Sequence, residues 1–100
     1  MARLKWSPQA TSDLERICEH IAADSEQYAR LFAEGIVAQL EELEAHPRIG
    51  RVVPEYQEEN LRERLYQNYR LVYELTGKWI EVVAIVHSAR DFKGVRLRQG

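Results

Sequence analysis

Between residues 69 and 75, Tyr69, Leu71, Tyr73 and Leu75 point to one side and Arg70, Val72 and Glu74 to the other. This period of two predicts a strand. Trp79–His87 is nearly all β-branched, aromatic or small apolar, as in a central strand covered on both faces. A shorter run, Leu61–Tyr66, places Arg62 and Arg64 on a common side, and Thr76-Gly77 marks a turn between the two later runs. Together these runs predict an antiparallel meander carrying Arg62, Arg64, Arg70 and Arg90.

The first half has a different period. Arg3–Trp6 alternates briefly, with Leu4 and Trp6 on one side, and reads as an edge strand. Ser7-Pro8 then predicts a helix start, because serine can accept a bond from an orphan N–H and proline at the first helical position has none to lose. Ala10, Leu14, Ile17, Cys18, Ile21 and Ala22 recur at helical spacing, leaving Asp13, Glu15, Arg16, Glu19 and His20 outside. A second helix is expected from Asp24, which has capping-box spacing to Gln27. Its stripe is Tyr28, Leu31, Phe32, Ile36, Leu40 and Leu43. Gly35, costly inside a helix, predicts close approach of the two helices, and Glu26 with Arg30 has the spacing of a surface ion pair. Pro47 ends the helix, with His46 at its C-terminal end. Residues 47–60 read as irregular apart from a brief extended piece at residues 51–53.

The expected order is therefore β-α-α-β-β-β in a single domain over residues 1–100. Helix stripes without another partner must bury against the sheet, giving a two-layer α+β fold with a helical hairpin packed on an antiparallel sheet. Leu14, Ile17, Ile21, Phe32, Ile36, Leu40, Val82, Ala84 and Val86 are the predicted core between the layers.

With 45% hydrophobic and 30% charged residues, the chain has the composition of a folded soluble domain. It has no apolar run long enough to span a bilayer and no secretory h-region at MARLKW. Cys18 is the single cysteine, so no internal disulfide can form, and a buried structural thiol in a cytoplasmic protein is expected. The net charge of −2 hides a division. Residues 1–60 carry six Lys/Arg against twelve Asp/Glu, and residues 61–100 carry eight against four, so a polarised surface is expected.

There is no phosphate loop, metal-ligand spacing or nucleophile elbow, so neither a cofactor nor a metal is expected. His20 and His46 read as helix-surface residues, whereas His87 ends a buried strand three residues before Arg90. Arg62 and Arg64 alternate with Leu61, Glu63 and Leu65, as in a solvated edge strand. Arg70, between Tyr69 and Leu71, is less expected as a lone solvating charge. Guanidinium groups recognise phosphate and carboxylate in a fork, and aromatic neighbours can clamp a base or a peptide. An anionic partner fits this set.

The opening KWSPQATSDLERICEHIA, the linker HPRIGRVVPE, the strand YRLVYEL and the ending IVHSARDF together resemble the RelE/ParE superfamily of toxins from bacterial type II toxin–antitoxin systems. The likeness covers almost the whole chain, and it implies the same β-α-α-β-β-β arrangement and neutralisation by a cognate antitoxin in a hetero-oligomer. RelE-like members cleave mRNA on the ribosome. On that branch the resemblance implies catalytic roles for Arg62, Arg64, Arg70 and Arg90, but no tyrosine follows Tyr73 to match the late catalytic one. ParE-like members inhibit DNA gyrase by binding, and the linker R-x-G-R-x-V-P-E and the ending H-x-A-R-D-F resemble that branch more closely. A relative that binds only its antitoxin is the third alternative. The target- or antitoxin-binding residues implied on the ParE-like branch are Arg62, Arg64, Tyr69, Arg70, Tyr73, His87, Arg90, Lys93, Arg96 and Arg98.

Overall fold

The computed structural model describes residues 2–89; Arg90, Lys93, Arg96 and Arg98 lie outside them. Five strands, β1 (Arg3–Trp6), β2 (Arg51–Val52), β3 (Leu61–Tyr66), β4 (Tyr69–Thr76) and β5 (Trp79–His87), form one sheet in the order β1-β5-β4-β3-β2. Strands β3 to β5 are the antiparallel meander read from the alternation, β2 adds antiparallel to β3, and β1 pairs parallel to β5. The sheet is therefore mixed rather than wholly antiparallel. The brief extended piece in the linker is β2. Two helices, α1 (Pro8–Ala22) and α2 (Glu26–Glu41), pack on one face.

Local chemistry sets the helix limits. Ser7 caps α1 by accepting from the Ala10 N–H at 3.0 Å, with Pro8 in the first turn. The cap of α2 is Ser25, not Asp24: its hydroxyl accepts from the Tyr28 N–H at 3.1 Å. A 3-10 turn, Glu42–Glu44, follows α2, so His46 lies beyond the helix rather than closing it. The Glu26–Arg30 pair is not formed among the described residues.

Where β1 ends, α1 takes over its pairing with β5. The Ser7 N–H donates to Val82 O, the Ser7 hydroxyl to Val83 O, and Asp13 accepts from the Ile85 N–H at 3.0 Å. Asp13 is consequently buried rather than solvated; a carboxylate there satisfies an N–H that a longer β1 would otherwise have taken. On the outer edge of β1, Glu44 accepts from the Leu4 N–H at 3.1 Å, which covers a group that another chain could pair with.

The main core lies between the layers and contains Ala10, Phe32, Ile36, Leu40, Leu43, Leu71, Tyr73, Ile80, Val82 and Ile85. Leu14, Ile17 and Ile21 pack against it but are only half-buried. Tyr28 and Leu31 are 47% and 51% exposed. Ala84 and Val86 are buried as predicted, but on the opposite face, with Val53, Leu61, Val72 and Val83. A bulge explains the change of face. Tyr73 pairs with Val82 and Val72 with Ala84, leaving Val83 as the extra residue.

Gly35 does mark a close approach, but by Tyr66 of β3 rather than by α1. A Cβ on Gly35 would lie 2.6 Å from the ring carbon bearing the Tyr66 hydroxyl. Tyr66 in turn packs on Phe32, ring centres 5.7 Å apart, so this glycine lets the β3 aromatic reach the core.

Ile36 is fully buried and Leu31 half-exposed on the same helix. Ile36→Ala is expected to destabilise the domain by about 2–5 kcal/mol, and Leu31→Ala by less than about 1 kcal/mol. Urea unfolding of both variants checks the contrast; equal losses would mean α2 docks through a different face.

Candidate functional site

Glu63 sits on β3 opposite Arg51 of β2 and diagonal to Arg70 of β4. Its side chain is fully buried, with one oxygen 2.7 Å from Arg51 Nε and the other 2.7 Å from Arg70 Nε. The far side of Arg70 is held by Glu55 from the linker, which accepts from both terminal nitrogens at 2.8 and 2.7 Å. Arg70 is only 5% exposed. The sequence left an anion-binding guanidinium here; the chain supplies both carboxylates itself. Two nearly buried charges without such partners would be costly. The hydrogen bonds to Glu55, chiefly, and to Glu63 raise the Arg70 pKa above its ordinary value despite burial. The same hydrogen bond from Arg70 lowers that of Glu55 below its ordinary 4.5.

Two further arginines, both in β3, also bond within the chain. Arg62, on the helix side of β3, donates to Glu59 O, the Glu59 carboxylate and Gly50 O at 2.9, 2.6 and 2.9 Å. Arg64 donates to Gln39 O at 3.0 Å and to Glu42 at 2.6 Å, placing a cation at the C-terminal end of α2, where the helix dipole favours it. Tyr73 is fully buried. Its hydroxyl donates to Pro47 O at 2.8 Å and accepts from the Gly50 N–H at 3.0 Å, and burial raises its pKa. A Cβ at Gly50 would lie 2.5 Å from Glu63 O and 2.6 Å from that hydroxyl, so only glycine lets the linker come this close.

Tyr69 and His87 form a different group, with Tyr69 next to Arg70 in β4 but on the helix side of the sheet. Tyr69 packs edge-on against Phe32 and His87, with ring centres 5.3 and 5.5 Å apart. His87 is exposed, and its Nδ1 accepts from the Ala89 N–H at 3.2 Å. The structure thus brings Arg70, Glu55, Glu63 and Arg51 together, places Arg62, Arg64 and Tyr73 on the opposite face, and sets Tyr69 and His87 apart. Arg90, Lys93, Arg96 and Arg98 fall outside the described residues. Among the described residues no group of His, Cys, Asp and Glu could hold a metal, and no helix is long and apolar enough to cross a membrane.

Sequence reasoning missed Glu55, Glu59 and Glu63. The alternation in Arg62-Glu63-Arg64 contains a signal, because it puts Glu63 with Leu61 on the apolar side of a strand, where a carboxylate requires a cation. Glu55 and Glu59 lie in an irregular segment and had no periodic signal. Half-buried Cys18 faces Ala29 O at 4.0 Å, and its thiol pKa is raised by burial. This fits a structural thiol.

Three comparisons bear on this arrangement. The family profile described as the ParE toxin of the type II toxin–antitoxin system, parDE, matches residues 4–92. A search of curated proteins finds no match. Among solved structures, a chain from the chromosomal ParDE TA system of P. aeruginosa is similar, with a TM-score of 0.73 and 23% identity. That match covers 87% of this chain and 96% of the other, and at this identity it speaks for the fold.

The carboxylate lattice makes two stability predictions. Arg70→Ala leaves Glu63 with one cation and should destabilise the protein by about 3–5 kcal/mol in urea unfolding; a loss under about 1 kcal/mol would mean the lattice is not structural. Because the Glu55 pKa is lowered on folding, its contribution is full above the unfolded pKa and is lost as pH falls through the folded one. The stability gap between wild type and Glu55→Gln should hold across roughly pH 6–8 and close below the ordinary carboxylate range. A gap that persists in strong acid would remove ionised Glu55 from the account.

Proposed function

The chain belongs to the ParE toxin family of type II toxin–antitoxin systems, and from that premise we propose that it acts by binding DNA gyrase, performs no chemistry of its own, and is neutralised by a cognate antitoxin in the cytoplasm. The observation that carries the choice is the state of Arg70. A phosphodiester-cleaving site needs guanidinium groups free to meet charge developing on phosphate. Arg70 is instead held by Glu55 and Glu63, and Arg62 and Arg64 by carboxylates and carbonyls of the chain. These bonds support a binder over a nuclease. The absence of a tyrosine after Tyr73 agrees with that reading.

Antitoxin docking fits the helical hairpin. Tyr28 and Leu31, one turn apart on α2, expose large apolar side chains, and an amphipathic segment of an antitoxin could cover them. On this reading Arg90, Lys93, Arg96 and Arg98 supply positive charge for the target, whereas Arg62, Arg64, Arg70 and Tyr73 act by holding the sheet in shape.

Purified protein is expected to inhibit supercoiling by DNA gyrase and to leave mRNA on translating ribosomes intact. Deleting residues 93–100 should weaken gyrase inhibition while leaving the protein folded. Ribosome-dependent cleavage with gyrase unaffected would replace this reading with the endonuclease one. Leu31→Glu should reduce antitoxin affinity by at least about tenfold, because it puts a charge at an apolar contact, with no loss of gyrase inhibition. Unchanged antitoxin affinity would move the antitoxin off this face.

A further inference from the structure

Among the described residues, every lysine and arginine forms an ion pair except Arg3, Lys5, Arg30 and Lys78. Two of those four lie over one side chain. Arg3 Cζ lies 5.5 Å and Lys5 Nζ 4.9 Å from the ring centre of Trp79. Lys78 precedes Trp79 in the chain, and its carbonyl accepts from the Arg3 N–H at 2.8 Å. Leu4 and Trp6 pack against the core between the layers, so Arg3 and Lys5, with Trp79 in register beside Arg3, occupy the sheet face away from the helices. Trp79 remains 38% exposed.

This corner differs from the arginine lattice in one respect. Among the described residues the chain neutralises its other cations apart from Arg30; here it does not, although Glu81 stands in register with Lys5. The ammonium group of Lys5 lies over the indole instead. Cation–π contact fixes the two side chains without cancelling their charge. The result is a pair of positioned, unneutralised cations beside an exposed aromatic ring.

We propose that this corner is a docking site for an extended acidic segment of a partner protein. Arg3 and Lys5 are two residues apart on a strand, about 7 Å, and carboxylates at alternate positions of an extended peptide share that spacing. A nucleic acid fits less well. Its charges continue beyond the patch, toward Glu81 and Glu74, which are paired in register across β5 and β4. The indole, already carrying two cations, is also poorly placed to stack a base. The site is remote from Tyr28 and Leu31, on the other face of the sheet, and does not depend on gyrase being the target.

The test uses the full chain, labelled with nitrogen-15, titrated with a short peptide of alternating glutamate and serine. Its glutamine counterpart and a short single-stranded oligonucleotide serve as comparisons. The acidic peptide should shift the Trp79 indole N–H, assigned with Trp79→Phe, together with the amides of Arg3 and Lys5; the glutamine peptide should not. Arg3→Gln and Lys5→Gln should each weaken binding about three- to fivefold, as expected for an exposed charge pair, whereas Arg30→Gln leaves it unchanged. Added salt should weaken it further. No shift at Trp79, equal shifts with the glutamine peptide, or tighter binding of the oligonucleotide at these residues would each overturn the proposal.

Discussion

The burial of the Glu63 carboxylate between two guanidinium groups is the constraint on which the rest of the sheet depends. A carboxylate with no exposed side-chain surface cannot be left alone, because its desolvation exceeds what packing returns. Arg51 from β2 and Arg70 from β4 meet its two oxygens. One residue thereby fixes the relation of three strands. Glu55 then closes over Arg70 and brings the linker with it. A hydrophobic residue in place of Glu63 could be equally stable, but it would not make the bonds that tie Arg51 and Arg70 together.

On the opposite face Tyr73 does comparable work with a neutral group. Its hydroxyl receives the Gly50 N–H and donates to Pro47 O, so a segment that is irregular by sequence is pinned at two backbone points. Arg62 adds bonds to Gly50 O and Glu59. The linker is therefore held from both faces of the sheet, by charge on one and mainly by backbone acceptors on the other. Positions that look like functional basic residues are spent on this task. Among the described residues the cations with no internal carboxylate are Arg3, Lys5, Arg30 and Lys78, which shifts attention from β3 and β4 toward the β1 corner.

Periodicity carried the strands well for a physical reason. In β3 and β4 every second side chain meets a different environment, so the alternation of apolar and polar residues records the fold directly. It failed in β5, where residues 82–86 are all apolar and no polar residue marks the side change at Val83. Partners across the chain were also beyond reach. Asp13 has the spacing of a solvated helix position, yet it serves an N–H at Ile85, 72 residues away. Gly35 was recognised as a place of close approach, but its neighbour, Tyr66, belongs to a strand. For the candidate site, residue type and face were legible in Arg62, Arg64 and Arg70. Their occupation by Glu59, Glu42 and Glu55 was not, because sequence gives the direction of a side chain and not what lies at its end.

The two layers are unequally secured, and that bears on regulation. The sheet is held by buried ion pairs and a core on each face, whereas α1 buries Ala10 and Asp13 fully and leaves Leu14, Ile17 and Ile21 half-covered. Tyr28 and Leu31 add exposed apolar area on α2. Covering the remainder of one half-buried aliphatic side chain is worth about 1 kcal/mol, so a partner laid over several of them would stabilise the hairpin noticeably. A partner that binds the folded domain and not the unfolded chain adds its affinity to folding stability by mass action. On the proposed reading, an antitoxin laid there would meet a surface already formed by the folded domain. The exposed apolar surface of the hairpin is the part least completed by the domain's own core.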